Sequence, residues 1–166
     1  MMMIQTYREA PEWRSGTELE PLAVMDKECV HAAGALHRSV HFLALDQRQD
    51  TVLLRKRSLS EHRYGGLFTS TAGVHVDAGD GGDDYERSLR LQVSGIPEAV
   101  IFVGEFRVQD PFENEVCGVF LHFGCLESLA RRLAGDHQVV ALSRALEWAR
   151  SGKTTPHLSE ALKLLI

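Results

Sequence analysis

The stretch Val40-His-Phe-Leu-Ala-Leu-Asp-Gln-Arg-Gln-Asp-Thr-Val-Leu-Leu54 sets the fold class. Val40 to Leu45 and Thr51 to Leu54 are apolar runs in which Val, Phe and Thr favour a pleated, half-buried strand. The polar run Asp46 to Asp50 between them predicts a turn, and the three together a hairpin. Upstream, Leu22-Ala-Val-Met25 predicts an edge strand, and the polar, Pro-containing Ile4 to Thr17 reads as a loose arm. Downstream, Gly65, Gly66, Gly73, Gly79, Gly81 and Gly82 punctuate a loop region before Asp83-Asp-Tyr-Glu86 opens a helix. Acidic side chains there suit the positive end of the helix dipole, and Gly95-Ile-Pro97 stops the helix. Ala99 to Phe106 and Val116 to Phe123 predict two more strands, joined by the loop Val108 to Asn114. From there, Leu126 to Ala134, Val139 to Arg150 and Leu158 to Ile166 space apolar residues three and four apart, as helices do. The expected class is α+β: an N-terminal arm over 1–18, then one domain over 19–166 with a helical tail from about residue 126.

A chain of 166 residues fits one domain with a sizeable core and needs neither disulfide nor metal to fold. Eighteen Lys and Arg against 23 Asp and Glu give a net charge of -5, which argues against a nucleic-acid backbone as partner. No apolar run approaches the roughly 18 residues of a membrane helix, and Met1 to Arg8 lacks the apolar core of a signal peptide. Cys29, Cys117 and Cys125 are odd in number and form no Cys-x-x-Cys pair, which argues against a disulfide framework or a cysteine zinc site and makes a reducing cytoplasm the expected home.

Glu113 and Glu115 stand one residue apart at the entrance to a strand, where alternation would turn both side chains to one face. Two adjacent carboxylates repel, and a cation between them relieves the repulsion. A solvated strand edge explains the pair equally well. His31, His37 and His75 are the other candidates, each more readily a structural or surface histidine when taken alone. Together the five would make a site for a divalent metal such as Zn, Mn or Mg.

Several ordered stretches carry a resemblance. Gly34-Ala-Leu-His-Arg-Ser-Val-His41, Leu53-Leu-Arg-Lys-Arg-Ser-Leu-Ser60, Tyr64-Gly-Gly-Leu-Phe-Thr-Ser-Thr71, Val74-His-Val-Asp-Ala-Gly-Asp80 and Phe112-Glu-Asn-Glu-Val-Cys-Gly-Val-Phe120 are similar to the Nudix superfamily. Within it they resemble the branch related to isopentenyl-diphosphate isomerase and its hydrolase-like members. A fainter echo lies at Thr155-Pro-His-Leu-Ser-Glu-Ala-Leu162. The resemblance implies an αβα sandwich with a mixed sheet. It places a divalent metal on His31, His37, His75, Glu113 and Glu115, and a diphosphate-gripping arginine at Arg57.

The Nudix signature, laid without gaps, runs from Val74 through Asp80 to Gly95 and Ile96. Asp80 replaces its first glutamate, Ser88 stands for the arginine, and Leu89, Gln92 and Val93 stand where three carboxylates would share a helix face. The resemblance implies a catalytic cysteine where Gly73 stands and two diphosphate-gripping basic residues where Glu61 and Leu89 stand.

The first expectation is metal-dependent hydrolysis of a small organic or nucleoside diphosphate, with Glu115 and Asp80 as catalytic carboxylates. The second is a non-catalytic ligand- or partner-binding module. The third is isomerase chemistry, against which Gly73 argues. A homodimer is an arrangement that the helical tail permits.

Overall fold

A computed structural model describes residues 1–48, 50–80 and 84–166, with the side chain of Asp80 outside the description. The predicted hairpin is present as β3 (Leu36–Asp46) and β4 (Thr51–Lys56), antiparallel with Ala44 opposite Leu53. It belongs to a nine-stranded mixed sheet whose central path runs β2 (Pro21–Asp26), β1 (Met3–Tyr7), β3, β4, β5 (Phe68–Thr69). Two further strands flank β3: β6 (Ala72–His75), antiparallel to it, and β8 (Asn114–Phe123), parallel to it along nine residue pairs from His37–Glu115 to Leu45–Phe123. β7 (Ile101–Gln109) covers the outer edge of β8.

Alternation along β3 and β8 divides the core into two layers. Leu43 and Leu45 on β3, with Cys117, Val119 and Leu121 on β8, face α5 (Pro156–Lys163) and α4 (Leu142–Arg150) through Leu158, Ala161, Leu162 and Ala145. Val40, Phe42 and Ala44, with Phe120, face α2 (Tyr85–Gln92) and α3 (Leu126–Ala130) through Tyr85, Leu89, Leu126 and Leu129. Helices thus cover both faces, the αβα sandwich that the resemblance implies.

Four expectations need correction. Met3–Tyr7 is not part of a loose arm, because Ile4, Thr6 and Tyr7 are buried and β1 pairs with both β2 and β3. Val139 and Val140 belong to β9 (Asp136–Ala141), which pairs with β4 by placing Val140 opposite Val52; only Leu142–Arg150 of that segment is helical. Free backbone groups along β4 and β-branched side chains outweigh a spacing that also fits a helix. Helix α3 stops at Ala130, although Leu133 remains buried, and α5 begins at Pro156 and ends at Lys163.

The middle helix starts at Tyr85, with the Asp84 side chain accepting a hydrogen bond from the Arg87 N–H at 2.9 Å. Asp83, the expected start, lies outside the described residues. Gly95, at φ +91°, turns the chain beyond the helix end.

The face of α2 that would carry carboxylates is a packing face, with Leu89 fully buried against the sheet. Truncating Leu89→Ala is expected to cost about 2–5 kcal/mol, and Leu89→Glu more, since it buries an unpaired charge. Urea denaturation checks both; a Leu89→Glu protein as stable as wild type would contradict the packing role.

Candidate metal centre

Four local structures deliver the five expected ligands. His31 lies in the last turn of α1 (Lys27–Ala32), a short helix whose start is fixed by Asp26 accepting from the backbone N–H groups of Glu28 and Cys29. His37 enters β3 directly beside Glu115 on β8, and His75 ends β6 opposite Ser39. Glu113 sits just ahead of β8, in a turn held by Asp110 Oδ1, which accepts from the backbone N–H groups of Phe112 and Glu113. One ligand atom from each of the five lies within 4.8 Å of every other. The three imidazole centroids stand 4.9 to 5.2 Å apart.

The polar atoms of this cluster approach one another without bonding. His31 Nδ1 lies 3.1 Å from Glu113 Oε2, and Glu115 Oε1 lies 3.3 Å from His37 Nε2 and 3.4 Å from His75 Nε2. Yet both ring nitrogens of His31, Nε2 of His37 and His75, and Oε2 of Glu113 are buried with no hydrogen-bond partner. Orphaned buried polar atoms are costly, and five lone-pair carriers converging on one point suit a cation. His37 shows the usual support for a metal-binding imidazole: Nδ1 donates to the Ala35 carbonyl at 2.8 Å, which turns Nε2 inward. The donor set fits a divalent ion of borderline hardness.

Charge follows the same geometry. Burial opposes ionisation of Glu115, but His157, His37 and His75 around it hold its pKa well below the ordinary carboxylate value. Burial also pulls on His37, where the adjacent Glu115 carboxylate wins and raises the pKa. At His75 burial wins and the pKa falls.

Beyond Glu115 lies a second group that spacing did not reveal. His157, in the first turn of α5, brings Nε2 to 3.3 Å from Glu115 Oε2. Its ring stacks on that of His41 at 4.9 Å, and Cys117 Sγ donates toward the same Oε2 at 3.8 Å. The period of two along β3 and β8 puts His41 with His37, and Cys117 with Glu115, so this part was readable; His157 gave only the faint echo near the C-terminus. Gly73 belongs to the same arrangement. A Cβ there would meet the His41 ring at 2.9 and 3.0 Å, so the histidine occupies the space that a cysteine side chain would need.

The Arg57 guanidinium is not free: Nη2 lies 2.7 Å from Glu61 Oε2, and Nε donates to the Arg63 carbonyl at 3.1 Å. Arg63, which spacing also missed, donates to Glu113 Oε1 at 3.0 Å. Tyr64 donates to Asp110 at 2.6 Å and so braces the turn before Glu113. Gln92 donates to the His75 carbonyl at 2.7 Å, serving β6 rather than a cation. The Asp80 side chain lies outside the described residues, and its backbone closes a short 3-10 turn, Ala78–Asp80.

No family model matches the chain. Among solved structures, DR0079 from Deinococcus radiodurans superposes with a TM-score of 0.65 at 12% identity, over 97% of this chain and 97% of that one. The MutT protein from Methanosarcina mazei gives 0.55 at 14% identity, over 77% of this chain and 91% of that one. A Nudix hydrolase from Alicyclobacillus acidocaldarius gives 0.54 at 14% identity, over 76% and 89%. The protein therefore has the Nudix fold. Within that fold, a segment of 61 residues is 33% identical to the isopentenyl-diphosphate Delta-isomerase of Pectobacterium atrosepticum. That match spans 37% of this chain and about a third (34%) of the isomerase.

Burial, and next the charge of His157, push the His41 pKa from 6.5 down to about 3. Below pH 6.5 the unfolded chain takes up a proton at His41 that the folded chain refuses. The stability drawn from this group is whole above pH 6.5 and drains away as pH falls toward 3, by up to about 1.4 kcal/mol per pH unit. Urea melts of the metal-free protein across that range should fall more steeply for wild type than for His41→Gln. Parallel profiles would contradict a neutral, buried His41.

Proposed function

We propose that this protein is a divalent-metal-dependent hydrolase of a small organic or nucleoside diphosphate. The observation that carries the reading is the convergence of His31, His37, His75, Glu113 and Glu115, with their buried polar atoms unsatisfied, in a Nudix-fold sheet. A bound Mg, Mn or Zn ion would supply Lewis-acid polarisation of water or of a phosphoryl oxygen. The chain's own contribution is to hold those residues on strands, a short helix and a braced turn, and to offer Arg57. A planar guanidinium fits phosphate oxygens in pairs, and Glu61 orients it until a diphosphate competes for the same N–H groups. Asp80 as a second catalytic carboxylate rests on the resemblance alone.

A second reading, a binding module that does not turn its ligand over, is favoured by one observation. Leu89 and Gln92 on α2, and Val93 just past its end, are engaged in packing and with the His75 carbonyl, which leaves no carboxylate at the positions where the resemblance expects three. Isomerase chemistry is disfavoured by Gly73, whose side-chain space His41 fills.

Phosphate release from a panel of diphosphates, assayed with Mg, Mn and Zn, separates these readings. The hydrolase reading expects turnover that Glu115→Gln abolishes. It also expects Arg57→Ala to raise KM about tenfold to a hundredfold, the worth of a charge-assisted hydrogen bond. No turnover above that of Glu115→Gln removes the hydrolase; a diphosphate that binds and is recovered intact supports the module.

A further inference from the structure

The two oxygens of Glu115 face different groups of donors. Oε1 is turned to His37 and His75, and Oε2 to His157 and Cys117. On the Oε2 side, one ligand atom each from His41, Glu115, Cys117 and His157 lies within 4.8 Å of the others, and all four residues are more than nine-tenths buried.

We propose that His41, Cys117, His157 and Glu115 Oε2 form a second cation site, so that Glu115 bridges two metal ions, the second being Zn(II) or a cation of similar softness. Two imidazoles, one thiolate and one carboxylate oxygen are a tetrahedral set of borderline and soft donors, a set that disfavours Mg and Ca. A carboxylate giving one oxygen to each ion is a geometry of two-metal centres, whose ions stand about 3.5–4 Å apart.

The donors are positioned for this by their neighbours. His41 Nδ1 is engaged by Ser70 Oγ at 3.0 Å, leaving Nε2 as ligand. Ser39 Oγ donates to Cys117 Sγ at 3.1 Å, a contact that supports a sulfur carrying negative charge. Pro156 opens α5 and Thr155 caps it by accepting from the Leu158 N–H, which fixes the turn that carries His157. Gly73 leaves room for the His41 ring. Binding exchanges the Cys117 S–H proton for the cation, and the proton leaves to buffer. The alternative is an ordinary ion pair between protonated His157 and Glu115, which needs no second ion.

The site shares Glu115 with the five-residue cluster but does not depend on diphosphate hydrolysis. The test is titration of the metal-free full chain with Co(II), following both stoichiometry and the thiolate-to-cobalt charge-transfer absorption in the near ultraviolet. Wild type is expected to take two equivalents and to show the band. Cys117→Ser should lose the band and fall to one equivalent, and His157→Asn should also fall to one, with circular dichroism confirming that each is folded. His75→Ala, which alters only the other cluster, should keep the band, so failure of the hydrolase reading and failure of this site remain distinguishable. A wild-type protein without the band, or one that takes a single equivalent, overturns the proposal. So does a band that survives Cys117→Ser.

Discussion

Glu115 enters β8 beside His37 on the parallel strand β3, 3% exposed, with His37, His75 and His157 within 3.4 Å of its two oxygens. Removing a carboxylate from water costs several kcal/mol even after the protein relaxes, and that cost must be met by positive charge. Imidazoles supply it in part, and a bound cation would supply the rest. The remaining features of the site follow from this demand: the parallel register that puts His37 next to Glu115, the short helix that presents His31, and the braced turn that presents Glu113. Strands buried under helices on both sides keep that carboxylate from water and hold its neighbours to fixed positions.

The middle helix shows what the fold has done with a face that needs no carboxylates. Leu89 packs under β3, while Gln92 donates to the His75 carbonyl and so steadies the strand end that carries a candidate ligand. The helix is tied to the cluster through that hydrogen bond and through packing under the sheet. His41 does something similar on the opposite face of the sheet, filling the hollow over Gly73 with a neutral ring.

Where side chains alternate along a strand or repeat along a helix, the sequence was legible. The β3–β4 hairpin, β8 from Val116 onward, the edge strand β2 and the stop after α2 came from local pattern and turn chemistry. The five candidate ligands came from residue type, from the one-residue spacing of Glu113 and Glu115, and from the resemblance. What was hidden depends on contacts between distant segments. Met3–Tyr7 is short and half polar, and only pairing with β2 and β3 makes it a strand. Val139 and Val140 fit a helical spacing until β4 offers them a partner. Nothing local marks His157 as a neighbour of Glu115; the packing of α5 over the sheet decides it.

A crystal soaked in Mn(II) and measured for anomalous scattering would probe the central claim most directly. The account predicts a strong peak about 2–2.5 Å from nitrogens of His31, His37 and His75 and from carboxylate oxygens of Glu113 and Glu115. A well-ordered site with no peak there, its imidazoles bonded instead to the carboxylates or to water, would contradict it.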